Sequence, residues 1–306
     1  MAIMYFAKFN VNSKVPDVRR GKTTFDEILD ELFEKIDDNT TYNYRVYNKI
    51  KQEDNTYKDV LFIDDRYIFS ELEKSNNEKY IMGKLIRRYN IPGEVYDEES
   101  KKSIKTIHEN SSSILFFFDI RKEMIAFCTR NNFGYNQFNR AIKGLAEEYL
   151  PNMEFEVYLQ KNIFSIEEEM KKFKRINRIS ANIIPPNANG DDLQALERRE
   201  IENLGQAGVT KKHVVYSASL KNDYGIDTEA DFIQSTFLQC SIGYGDFVTV
   251  GINHKDEEYV FKSNDEALLE RSIKDEEKDD KKIFKERAVI FITQIRAAIV
   301  LALKRE

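Results

Sequence analysis

The stretch Ile114-Leu115-Phe116-Phe117-Phe118-Asp119-Ile120, followed by Arg121-Lys122-Glu123 and Met124-Ile125-Ala126-Phe127-Cys128-Thr129, reads as two strands joined by a tight turn. Its first five residues are apolar at every position, so both faces of that strand must be covered and it belongs at the centre of a sheet. Strands linked by so short a turn run antiparallel.

Upstream, Ile3 to Val11 alternates apolar and polar residues with the β-period, which predicts a half-buried first strand. Phe25, Ile28, Leu29, Leu32, Phe33 and Ile36 recur at helical spacing, and Thr24 with Glu27 supplies a capping box. Three β-rich segments follow, Tyr42 to Ile50, Tyr57 to Phe69 and Tyr80 to Asn90, with a break expected at Asp64-Asp65 and a turn at Pro92-Gly93. A helix from Asn136 to Tyr149 closes the unit at Pro151.

Downstream come a strand at Phe155 to Gln160 and a short helix capped by Ser165 and Glu168. The pattern then runs strand Ile176–Ile184, helix Asp191–Leu204, strand His213–Leu220, helix Thr228–Ile242 and hairpin Phe247–Phe261. Thr228 and Asp231 suggest a capping pair, with Phe232, Ile233, Phe237 and Cys240 as the buried stripe. This order suits a ferredoxin-like, split βαβ layer. Residues 265–282 are nearly all charged and read as a solvated helix or linker. The last helix carries apolar residues almost all round, which implies burial in a dimer interface or a domain seam.

The expectation is therefore an α+β fold of mostly antiparallel sheets covered by helices, with a ferredoxin-like C-terminal half and a long apolar C-terminal helix. Its parts would be an α+β domain at 1–151, a ferredoxin-like domain at 152–264, and a charged segment with a packing helix at 265–306.

With 306 residues, 41% hydrophobic and 33% charged, the chain has the apolar supply of a folded protein and a densely charged surface. A net charge of −6 argues against a wholly basic, nucleic-acid-coating surface. Two cysteines are too few for a disulfide framework and suit a reducing cytosol. Met1 to Tyr5 lacks a secretory pattern, and the apolar window Ala288–Leu303 is interrupted by Thr293, Gln294 and Arg296, so a cytoplasmic protein without a membrane span is expected.

Metal chemistry has little support, because His108, His213 and His254 are the only histidines and none has ligand spacing; no metal or cofactor is expected. A metal-independent ribonuclease needs less: His213 or His254 as a base with a Lys, Arg or Tyr partner. Exposure at a strand end for His213 and in a turn for His254 is the favoured reading of both. A metal-dependent nuclease pattern fails, since Ile125 stands where a lysine should follow Asp119 and Glu123, which read as the rim of a hairpin. Glu169-Met170-Lys171 has the right letters but falls on a helix. Cys128 and Cys240 sit at apolar positions where nothing lowers a thiol pKa.

Binding candidates are Arg130, Asn131, Asn132 and Tyr135 in a strand-to-helix turn, where backbone N–H groups can receive an anion. The basic run Lys171, Lys172, Lys174, Arg175 and Arg178, with Arg198 and Arg199, could track a nucleic-acid backbone, although Glu167 to Glu169 sit beside it. Tyr244, between Gly243 and Gly245, could stack a base, while Gly243 suits a left-handed helix terminus.

Arg178-Ile179, Ile183-Ile184-Pro185-Pro186-Asn187, Gly243-Tyr244-Gly245 and Val248-Thr249-Val250-Gly251 together resemble uncharacterised bacterial proteins encoded near anti-phage defence and mobile-element genes. Together with the missing catalytic motif and the ferredoxin-like order, the resemblance implies a component of a defence or toxin system that binds nucleic acid or a partner protein, and the apolar last helix would make it a homodimer. The resemblance carries over no catalytic residue. The competing readings are the ribonuclease and a structural subunit of a larger assembly.

Overall fold

The computed structural model describes residues 1–14, 17–18, 20–52, 55–185, 207–219, 221 and 223–303. The helix expected at 191–204, with Arg198 and Arg199, lies outside them.

The protein is α+β with two antiparallel sheets. In the larger sheet β1 (Ala2–Val11), β6 (Met124–Cys128), β5 (Lys102–Asp119), β4 (Tyr80–Asp97), β3 (Tyr57–Ser75) and β2 (Thr41–Lys51) lie side by side. The free side of β1 is shared: β12 (Glu270–Ile273) pairs with Ala2–Tyr5, and β7 (Phe155–Leu159) pairs with Ala7–Val11. Segment 265–282 is thus not simply a solvated helix or linker. Its few apolar residues anchor it, Leu268 against one core and Leu269 and Ile273 against another.

Strand β5 is central, as its apolar run requires. Ile114, Phe116 and Phe118 face α1 (Phe25–Lys35) and α2 (Tyr135–Tyr149), and Leu115 and Phe117 face α6 (Lys281–Leu303) on the opposite side. The α1 capping box forms as read: Thr24 Oγ1 accepts from the Glu27 amide at 3.1 Å, and Glu27 Oε2 accepts from the Thr24 amide at 2.9 Å. The α2 cap is Gly134, its amide donating to Gln137 Oε1 at 3.0 Å.

The smaller sheet has the order β11 (Glu258–Lys262), β10 (Gly245–Asn253), β8 (Phe173–Ile183), β9 (Lys212–Ser217). Strands β9 and β10 flank β8 and are linked through α4 (Asp231–Ser241). One face packs on α3 (Ile163–Met170) and α4 through Ile166, Ile233, Phe237 and Cys240. Two details differ from expectation. Asn162, not Ser165, caps α3, accepting from the Phe164 amide at 3.0 Å. Ala230 precedes α4 without a side-chain cap, and Phe232 lies off the buried stripe, exposed beside Tyr216.

Tyr158, Ile184, Leu238, Ile242 and Tyr244 join the two sheets, with Ile299 of α6 packed against them. A four-residue helix α5 (Ser263–Glu266) and a 3-10 turn at Asp275–Lys278 lead into and out of β12. Among the described residues no helix is long and apolar enough to cross a membrane.

Candidate interaction surface on two β-ribbons

Pairing between β3 and β4 runs from Ser75↔Tyr80 to Arg66↔Arg88. Beyond that point β2–β3 pairs on to Lys51↔Tyr57, and β4–β5 on to Asp97↔Lys102. The sheet therefore forks into two two-stranded ribbons, roughly 25 Å and 30 Å long at the usual rise per residue. Three expectations fail here. Asp64 and Asp65 do not break β3, β5 starts at Lys102 rather than Ile114, and Pro92-Gly93 is strand, paired with Ile107 and Thr106. Proline is tolerated because β4 is an edge strand past the fork, where no neighbour needs its missing N–H.

The ribbons cover no core, yet they carry Tyr47, Ile50, Tyr57, Val60, Leu61 and Phe62 on one, and Val95, Tyr96, Ile104 and Ile107 on the other, all exposed. Phe62 is 69% and Ile107 74% accessible. Isolated ribbons of this kind are marginal in water, and clustered exposed apolar groups are the kind of surface that interaction sites present. Cross-strand ion pairs brace both, Arg45–Asp64 at 2.9 Å and Arg88–Glu109 at 2.7 Å.

A polar cluster holds the fork. Buried Asp65 accepts from Tyr67 Oη at 2.9 Å and from Arg87 Nη2 at 2.9 Å, and Arg140 stacks 3.7 Å over the Tyr44 ring. Burial pushes the Tyr67 hydroxyl up to about 12. Arg87 also donates to the Asn132 carbonyl, tying the ribbon roots to the turn that precedes α2.

The family model for a domain of unknown function, DUF4747, matches residues 2–289. The chain belongs to this family. No curated protein matches it.

In this DUF4747 protein the turn that carries Arg130, Asn131 and Asn132 reaches the fork through the Arg87–Asn132 contact, whereas Tyr135 packs against Tyr5 of β1. Ser112, Thr129, Arg130, Asn131 and Lys278 line an open depression of about 400 Å³ beside that turn. Its cations are already neutralised, Arg130 by Asp279 and Lys278 by Asp275 at 2.7 Å. Tyr135 donates to Asp265 at 3.4 Å.

The other candidates lie elsewhere. His213 meets Asn182 Oδ1 at 2.9 Å and Ser180 Oγ at 3.5 Å, near one end of β8. His254, in the β10–β11 turn, meets the Lys171 carbonyl at 3.1 Å, beyond the other end. The length of β8 keeps the two rings roughly 30 Å apart, so they do not form one site. Lys171 and Lys172 close α3, Lys172 paired with Glu169, while Arg175 and Arg178 stand on β8. Tyr244 is fully buried, which rules out base stacking. The left-handed Gly243, φ +89°, turns the chain so that Tyr244 enters the junction of the two sheets. Glu123 is not a rim residue either: it is buried and paired with Lys8 at 2.8 Å. Burial pushes both thiols, Cys128 and Cys240, up to about 12. No group of three or more metal-binding side chains occurs among the described residues.

Sequence reading found both strands of the first ribbon but missed the second, beyond Asn90, because its strands bury neither face and give no clean alternation. The usable signal was the persistence of β-branched and aromatic residues on both sides of Pro92.

Proposed function

We propose that this protein is a cytoplasmic recognition component of a bacterial defence or toxin system, and that it binds a partner protein through its two β-ribbons. The observation that carries the binding role is the row of exposed tyrosines, aliphatics and Phe62 on strands that cover no core. A protein partner fits better than nucleic acid, because the ribbons mix Lys and Arg with Asp and Glu instead of presenting a basic stripe. The defence setting is supported by the likeness of the Pro185, Gly243 and Val248 motifs to proteins encoded in such neighbourhoods.

The placement of β9 and β10 around β8, linked by α4, supports reading the smaller sheet as one split βαβ unit of ferredoxin-like kind. Exposed Ile283, Val289 and Ile290 on α6 support a homodimer through that long helix.

Photo-crosslinking residues placed at Phe62 and Ile107, with Phe164 and Tyr224 as exposed controls on other elements, test the proposal. One protein should be captured at the ribbon positions and not at the controls. Equal capture at all four, or a salt-sensitive mobility shift with RNA or DNA and no protein adduct, rejects it. Incubation with total RNA in EDTA, repeated with His213→Ala and His254→Ala, tests the ribonuclease reading, which loss of RNA cleavage in either variant would favour.

A further inference from the structure

Where the two sheets meet, Leu238, Ile242, Leu269, Ile295, Ala298 and Ile299 line an apolar cavity of about 330 Å³. That volume is at the small end of ligand pockets, which range over about 300–1,000 Å³ and favour junctions between packed units.

Most polar groups on its wall are spent on the protein itself. Lys161 Nζ donates to the carbonyls of Leu159, Cys240 and Gly245 at 3.0, 3.3 and 2.8 Å, which uses all three of its protons. Gln160 Nε2 donates to the Ile242 carbonyl at 2.8 Å, Ser241 Oγ to the Leu238 carbonyl at 2.8 Å, and Asn162 Oδ1 caps α3. Arg271 differs. It gives one Nη1 hydrogen to the Glu270 carbonyl at 3.0 Å, and among the described residues it forms no ion pair with a carboxylate. An apolar cavity with one cation left over at its wall is complementary to an apolar anion.

We propose that this cavity binds a small amphipathic carboxylate, its acyl chain laid along Leu238, Ile242, Ile295 and Ile299 and its head group held by Arg271. The guanidinium fork matches the two carboxylate oxygens. The limited volume favours a medium-length chain over a whole lipid.

Calorimetric titration of the full chain with decanoate, and with decanol as the uncharged counterpart, tests the assignment. Decanoate should bind saturably at one site, and Arg271→Gln should weaken it by about tenfold or more without changing decanol binding. Ala298→Trp, at an exposed helix position, should fill the cavity and abolish binding of both, while the thermal midpoint stays that of the parent. The proposal is overturned if decanoate gives no saturable heat, if Arg271→Gln affects both ligands alike, or if Ala298→Trp binds normally. It is equally overturned if light scattering shows self-association that excludes decanoate, since a second copy would then fill the cavity.

Discussion

Lys161 shows how far a single residue can be from what its sequence neighbours suggest. It is fully buried, and desolvation brings its ammonium down to about 8. The unfolded chain returns it to about 10.4. Between these values the unfolded state holds more protons than the native one, so unfolding becomes harder as pH rises through the window, by on the order of 3 kcal/mol in all. Denaturant midpoints at pH 7.5 and 9.5 should therefore rise for the parent relative to Lys161→Met. An equal pH response in both proteins would show that the amine does not titrate there. Glu123 offers a second case, because its partner Lys8 is also buried. Glu123→Ala leaves that charge uncompensated and should cost about 3–5 kcal/mol in urea unfolding.

Among the elements, helix α1 and the ribbon of β4 and β5 mark the two extremes of legibility. The Thr24 box and the stripe from Phe25 to Phe33 are local patterns, and both form as written. Thr24→Ala should cost about 1 kcal/mol, measured by chemical denaturation. That ribbon depends on what is missing around it, which no local pattern reports. Pro92 looks like a turn only if its strand has neighbours on both sides, and past Arg88 it does not. Replacing Asn90–Glu109 by a short turn removes exposed surface alone, so the thermal midpoint should stay within about 3 °C of the parent. Amide exchange should also be faster in 90–109 than in 114–118. A large fall in midpoint on trimming would mean that the ribbon supports the core.

For the whole molecule, helix α6 decides how the chain is held together. Phe284, Ala288, Ile292 and Ile295 pack on the face of the larger sheet opposite α1 and α2, and Ile299 reaches the junction with the smaller one. Ile292→Ala opens a cavity beneath a helix that spans these contacts, so a loss of about 2–5 kcal/mol is expected from equilibrium unfolding. The amino-acid sequence alone determined the two-sided apolar run that puts β5 in the centre, the capped amphipathic α1, and the apolar setting of both cysteines; the alternation of β1 marked a strand but predicted one buried face, whereas Phe6 to Val11 are buried on both. Each depends on residues a few positions apart, where periodicity and capping act. Only the tertiary structure decided that β12 and β7 share one side of β1, that the sheet forks after Arg66 and Arg88, that Tyr244 is buried, and that His213 and His254 stand at opposite ends of β8. Those outcomes turn on which distant segment occupies a strand edge or a gap between cores, and edge pairing and burial are set by the assembled chain.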